Sequence, residues 1–98
     1  MNRTVRLREE AERDLAAAVL WYEQQREGLG RDFLDEALAA FQLLAEHPLK
    51  YPVVHRETRR ALVKRFPFAI YFRAERSRVV VIAIAHASRH PRHWRDRT

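Results

Sequence analysis

The fold is decided by one uninterrupted apolar run, Val79-Val80-Val81-Ile82-Ala83-Ile84-Ala85. Most of these residues are β-branched, which favours a strand, and neither set of alternate side chains is polar. Both faces of the strand must therefore be covered, which is typical of a central strand in a sheet. The polar residues 75–78 before it predict a tight turn and a hairpin with the preceding strand, residues 68–74.

Besides the apolar run, the C-terminal half contains two other predicted strands. The strand over residues 68–74 has one apolar face, formed by Phe68, Ile70 and Phe72. Residues 60–66 also have an extended pattern, and the link at Phe66-Pro67 is too short to cross a sheet, which predicts antiparallel pairing. Residues 50–58 contain a proline between polar ends and predict a loop. We therefore expect three strands in this half.

The N-terminal half has helical periodicity instead. Residues 3–7 are extended in pattern and lead into an acidic turn at Glu9, which suits a helix N-terminus. Apolar residues then recur every three or four positions in two segments, separated by a glycine break at residues 28–30. The second segment ends at His47-Pro48. The pattern predicts a strand followed by an antiparallel pair of helices.

These elements predict one α+β domain over residues 1–98, in the order β-α-α-β-β-β with a short C-terminal helical tail. The helical hairpin packs on one face of a mainly antiparallel sheet and leaves the other face for a partner. A chain of 98 residues without cysteine excludes disulfides and thiolate metal sites. No run is apolar enough for a membrane span or a signal peptide, so we expect a cytoplasmic protein without membrane contact.

Charge is divided unevenly along the chain. Residues 1–49 have a formal net charge of −4, whereas residues 50–98 have +10. This asymmetry indicates an anionic partner for the C-terminal half, either nucleic acid or an acidic protein segment. One basic run, Arg59, Arg60, Lys64 and Arg65, lies on and just before an expected edge strand. It is either a solvated edge that deters aggregation or a docking surface.

Several stretches resemble the RelE/ParE-type toxins of bacterial toxin–antitoxin modules. They are Arg65-Phe66-Pro67-Phe68-Ala69-Ile70-Tyr71-Phe72-Arg73, the apolar run with His86, Arg89-His90-Pro91-Arg92-His93-Trp94, and the helix positions Ala11-x3-Leu15, Trp21-Tyr22 and Phe33-x3-Ala37. The resemblance implies a toxin without a cofactor. It also implies a cognate ParD-like antitoxin with an acidic C-terminal segment, and contact with operator DNA only through that antitoxin.

Two activities occur among the toxins that the chain resembles. The RelE-like branch cleaves mRNA on the ribosome, and the ParE-like branch inhibits DNA gyrase. The nucleases commonly carry a strand arginine where this sequence has Phe68, and a C-terminal aromatic hydroxyl where it has Trp94. A phenyl ring cannot neutralise a phosphate, and indole has no ionisable hydroxyl. Both departures favour the gyrase-directed branch, so no catalytic residue is assigned.

Two alternatives stay open. A ribosome-dependent, metal-independent endoribonuclease would use Arg89 with Lys64 or His86, because RNA cleavage needs a base, an acid and a cation for the phosphorane. A basic nucleic-acid-binding domain is disfavoured by the lack of a glycine-rich loop or aromatic ladder. The histidines 86, 90 and 93 lack the spacing of a zinc site, so no metal is expected.

The residues expected to bind the antitoxin or the target are mostly arginines of the C-terminal half. They are Arg59, Arg60, Lys64, Arg65, Arg73, Arg89, Arg92 and Trp94. Trp94 is also expected to pack against the domain, because a lone indole in a basic tail normally contacts apolar surface. On the first helix, Tyr22 continues the apolar stripe, which places the adjacent Trp21 on the flank of the helix.

Overall fold

The chain forms one mixed sheet with two long helices on one face, in a computed structural model that describes residues 2–98. The elements are β1 (Thr4–Leu7), α1 (Glu9–Gln25), α2 (Leu29–Glu46), a 3-10 turn (Pro48–Lys50), β2 (Val53–His55), β3 (Thr58–Leu62), β4 (Phe68–Ala74), β5 (Arg78–His86) and α3 (Arg92–Arg95). The strand order is β1-β5-β4-β3-β2. β1 is parallel to β5, and the other neighbours are antiparallel.

The predicted fold class is confirmed, with one strand more than expected. The predicted loop over residues 50–58 is wrong at Val53–His55, which form β2 and pair with β3. β3 is therefore an inner strand and not the expected edge strand, and it ends at Leu62. A strand of three residues next to a proline is too short to show alternation, which explains the error.

The helical hairpin is closed by a carboxylate and a glycine contact. The Glu23 side chain accepts hydrogen bonds from the backbone N–H groups of Gly28 (3.0 Å) and Gly30 (3.0 Å), which caps the start of α2. Gly28 has a positive φ of 88°. A Cβ on Gly30 would lie 2.6 Å from the Val19 carbonyl oxygen, so only glycine permits this approach of α1 and α2.

An aromatic cluster fills the core between the helices and the sheet. The ring centroids of Tyr22 and Phe33 lie 5.1 Å apart, and that of Phe66 lies 4.9 Å from Tyr22. Phe68 completes the cluster, 5.1 Å from Phe33. Tyr22 is buried and Trp21 is 54% exposed, as the helical periodicity predicts.

A β-bulge divides the side chains of β5 between the two faces of the sheet. The register with β4 shifts between Tyr71 and Phe72, which leaves Ile82 as the extra residue. As a result Val79, Val81 and Ile84 join the core beneath the helices, whereas Ile82, Ala83 and Ala85 belong to a second apolar cluster.

The second face of the sheet is covered by the C-terminal tail. The Trp94 ring stacks on Tyr71 with a centroid distance of 4.3 Å and an interplanar angle of 14°, and Trp94 is only 5% exposed. The expectation that this whole face stays open for a partner is therefore wrong, whereas the expected packing of Trp94 and the short helical tail are present. Burial of an indole on a strand tyrosine gives β5 its second apolar layer.

Asp14 and Arg97 satisfy the edge of β5 where β1 ends. β1 pairs with β5 only as far as Val81. Beyond that point the Ile84 N–H donates to Asp14 (3.0 Å), and the Arg97 guanidinium donates to the Ile82 carbonyl (3.2 Å). The Arg97 and Asp14 side chains are joined at 2.6 Å and are 18% and 12% exposed. This pair links α1, β5 and the tail. In the described residues 2–98, no helix is long and apolar enough to cross a membrane.

We expect Arg97→Ala to lower the free energy of unfolding by about 3 kcal/mol, because it leaves the Asp14 carboxylate largely buried without its cation. The matched control is Arg31→Ala, which breaks an Arg–Asp pair at 2.9 Å whose side chains are 76% and 57% exposed. That change should cost less than about 1 kcal/mol. Urea unfolding of both variants measures the difference, and equal losses would contradict the role given to Arg97.

Candidate functional site

Two of the predicted binding arginines contact other elements of the domain. The Arg59 guanidinium donates to the carbonyl oxygens of Tyr51 (2.7 Å) and Leu49 (3.2 Å), and so ties the 3-10 turn to β3. Arg65 has a positive φ of 70° and lies 3.5 Å from Glu36 of α2. Both side chains are occupied by contacts within the domain.

Trp94 and Arg73 are also engaged. Trp94 is stacked on Tyr71, and the Arg95 guanidinium lies 5.6 Å from the indole centroid. Arg73 lies 3.4 Å from the Glu75 carboxylate. Trp94 therefore supports the sheet and is not presented as an exposed anchor.

The other four predicted residues, Arg60, Lys64, Arg89 and Arg92, have exposed side chains with no ion pair or hydrogen bond inside the described chain. We call them the basic rim. Arg60 is opposite Tyr71 in the register and shares its face of the sheet. β3 and β5 both run antiparallel to β4, so Lys64 and Arg89 follow strands that end on the same side of the sheet. Arg60 therefore lies on the face that α3 covers, and Lys64 and Arg89 lie beyond one end of the sheet.

A cleft of about 440 Å³ lies between α1 and the end of β5. It brings together His86 and Arg89, two of the three residues named for the nuclease alternative, but Lys64 does not line it. The His86 Nδ1 atom accepts a hydrogen bond from the Ser88 N–H at 3.1 Å. The neutral imidazole must then carry its proton on Nε2, which makes the group facing away from Ser88 a donor and not a base.

His93 lines the same cleft beside the Asp14–Arg97 pair. Burial lowers the pKa of His93, the Arg89 guanidinium lowers it further, and Asp14 acts in the opposite direction. The ring Nε2 lies 3.8 Å from the Asp14 carboxylate. The fold therefore favours neutral His93. Within residues 2–98, no group of three or more His, Cys, Asp or Glu is arranged to hold a metal ion.

Asp14 and Arg97 were not identified as important from the sequence. They are 83 positions apart, and nothing in the local pattern connects an acid on the first helix with an arginine in the tail. The only available signal is the position of Asp14 three residues after Ala11, close to the buried stripe of α1. The tail arginine is indistinguishable from its basic neighbours by sequence.

The architecture is a helical hairpin on a mixed sheet, with unpaired cations beside a tail-covered sheet face. A family model described as "ParE toxin of type II toxin-antitoxin system, parDE" matches residues 5–91. The chain belongs to this ParE toxin family.

Solved structures have the same fold. A chain of the chromosomal ParDE TA system from P. aeruginosa aligns with a TM-score of 0.76 and 16% identity, over 86% of this chain and 95% of that one. A chain of the toxin–antitoxin complex RelBE2 from Mycobacterium tuberculosis aligns with a TM-score of 0.62 and 22% identity, over 88% and 99%. No curated protein gives a significant sequence match.

The lowered pKa of His93 predicts a loss of stability on acidification. Its contribution is intact above its ordinary pKa of about 6.5 and is lost as the pH falls from there through the lower pKa of the folded state. The difference in unfolding free energy between the wild type and His93→Gln should therefore change between pH 7.5 and 5. Urea titrations at each pH measure it. The exposed His47→Gln serves as control, and parallel curves for all three proteins would contradict the prediction.

Proposed function

We propose that this chain is the toxin of a type II toxin–antitoxin module that inhibits DNA gyrase and is neutralised by a cognate ParD-like antitoxin. The ParE family match over residues 5–91 supports the toxin role. The structural neighbours from P. aeruginosa and M. tuberculosis are described as toxin–antitoxin assemblies, which supports an antitoxin partner.

The observation that carries the choice of target is the structural use of Phe68 and Trp94. Phe68 packs 5.8 Å from Tyr22 and 5.1 Å from Phe33 in the aromatic cluster, and Trp94 is buried on Tyr71. The two positions at which related nucleases keep a cation and an aromatic hydroxyl therefore serve packing here. This arrangement favours inhibition by protein–protein contact over RNA cleavage.

The nuclease alternative rests on the cleft that joins His86 and Arg89. Arg89 would supply the cation for a phosphorane. His86 is poorly suited to act as acid or base, because a neutral ring whose Nδ1 accepts from Ser88 is a very weak acid and has no free ring lone pair. Lys64, which the alternative needs, is outside the cleft, and of the other titratable groups that line it, Asp14 contacts Arg97 and His93 contacts Asp14. The proposal of a gyrase inhibitor therefore stands ahead of this alternative.

Purified chain should inhibit supercoiling by DNA gyrase in a concentration-dependent manner. In parallel, primer extension on an mRNA translated in its presence should show no new 5′ ends. Both assays use Arg13→Gln as a control for the loss of one exposed positive charge on α1. Unimpaired supercoiling, together with mRNA cleavage that disappears in Arg89→Ala, would overturn the proposal in favour of the nuclease.

We further propose that the basic rim binds the acidic C-terminal segment of the antitoxin. Its four cations have no acidic partner in residues 2–98, so their charge is available to another chain. Charge pairs at a solvated surface raise the association rate and fix orientation more than they raise affinity. The rim would thus guide the segment onto the toxin, while apolar contacts hold it there.

The double variant Arg60→Gln/Arg92→Gln should bind the cognate antitoxin about tenfold more weakly, since each exposed pair contributes up to about 1 kcal/mol. The matched control, Arg13→Gln/Arg31→Gln on the helical hairpin, removes the same charge and should change affinity less than about twofold. Calorimetric titration at two salt concentrations measures both. Equal weakening in the two double variants would show that only net charge matters.

A further inference from the structure

A second basic feature lies on the same face of the sheet as Arg60, where β1, β5 and β4 run side by side. A cleft of about 320 Å³ is lined by Arg6, Arg8, Arg73, Glu75, Arg78 and Val80. We call it the arginine cleft. The register pairs Val80 with Arg6 of β1 on one side and with Arg73 of β4 on the other. Buried Val80 of β5 thus forms the floor of the cleft. Arg6 and Arg73 form its two sides, because β1 and β4 flank β5.

Glu75 is the one carboxylate in the arginine cleft, and it is already shared. Its two oxygens lie 2.7 Å from Arg78 and 3.4 Å from Arg73. The hydrogen bond from Arg78 lowers the pKa of Glu75, with Arg73 adding to the effect. One negative charge therefore faces four guanidinium groups, and the cleft keeps a formal excess of three positive charges.

The remaining two arginines have no acidic partner. Arg8 donates to the Arg97 carbonyl oxygen at 2.8 Å, which neutralises no charge. The exposed Arg6 side chain makes no hydrogen bond or ion pair within the described chain. Like charges on adjacent strands repel one another. A bound anion would relieve this repulsion, because Glu75 is the one carboxylate that lines the cleft.

We propose that the arginine cleft binds a small ligand through two phosphate groups in series, a ligand of the diphosphate class. Arg6 and Arg73 are two strand spacings apart, or about 10 Å between their backbones. Two linked phosphates present oxygens to both walls at once. Guanidinium groups bind such oxyanions through paired, charge-assisted hydrogen bonds.

The lining favours a compact phosphate ligand over an acidic peptide. Val80 is the sole apolar residue among those that line the cleft, so no pocket is offered to the side chains of a peptide. The cleft is also too short to bind the backbone of a nucleic acid, which normally occupies an extended basic groove with aromatic side chains that stack on the bases. The proposal is independent of the gyrase and antitoxin roles, because it concerns different residues apart from Arg73.

The test measures binding of inorganic pyrophosphate by titration calorimetry at constant ionic strength. The wild type should bind pyrophosphate about tenfold more tightly than orthophosphate. Arg6→Gln should weaken pyrophosphate binding about tenfold, because it removes charge-assisted hydrogen bonds. The variant should fold normally, since the exposed Arg6 side chain has no partner in the described residues. Arg13→Gln, the control with the same loss of charge on α1, should change binding less than about twofold.

Arg73→Gln is the second variant, and its melting temperature is recorded because Arg73 also contacts Glu75. A folded Arg73→Gln protein with weakened pyrophosphate binding supports the proposal. Equal losses in Arg6→Gln and Arg13→Gln would overturn it, as would equal affinity for pyrophosphate and orthophosphate. A ten-residue thymidine oligonucleotide without terminal phosphate, or a hexaglutamate peptide, that binds more tightly than pyrophosphate in an Arg6-dependent manner would also overturn it.

Discussion

The structure depends on one constraint: β5 is apolar on both faces, and each face must be kept from water. In a chain of 98 residues the two helices can cover only one face. The other is covered by Trp94 of the tail, stacked on Tyr71, with Val54 of β2 packed against the same cluster. A four-residue helix has little stability of its own. The Asp14–Arg97 pair, which also satisfies backbone groups of β5, is what fixes the tail on the sheet.

Local patterns in the sequence were sufficient for the elements and most of the core. The stripe of α2, the alternation of β4 and the apolar run of β5 each contain their own period, and the structure has them where that period predicts. β2 could not be predicted, because three residues carry no period. The contact of Asp14 with Arg97 could not be predicted either, because it depends on where a β-bulge and the end of β1 leave backbone groups unpaired.

The sequence predicts that the candidate site is basic, but it does not predict which arginines are free to bind a partner. The charge asymmetry correctly marks the C-terminal half as basic, yet it cannot separate arginines that hold the fold from those left free. Arg59 and Arg65 look the same in sequence as Arg60 and Lys64. The structure distinguishes them by contacts: Arg59 is bonded to carbonyl oxygens of the 3-10 turn, and Arg65 lies beside acids of α2. Such contacts arise from tertiary packing, which no local pattern encodes.

The charge asymmetry between the two halves of the sequence is only partly retained on the surface of the folded domain. Acids of the helical half reach over to neutralise arginines of the other half, as Asp14 does for Arg97 and Glu36 for Arg65. Among the cations without an acidic partner, two groups lie close to the sheet: the basic rim beside the tail, and Arg6 and Arg8 in the arginine cleft. The residues around the basic rim differ from those that line the arginine cleft. The rim borders a stacked aromatic pair, whereas the cleft has a valine floor and one shared carboxylate. The same excess positive charge can therefore serve two kinds of anionic partner, because the surroundings of a charge decide which anion fits against it.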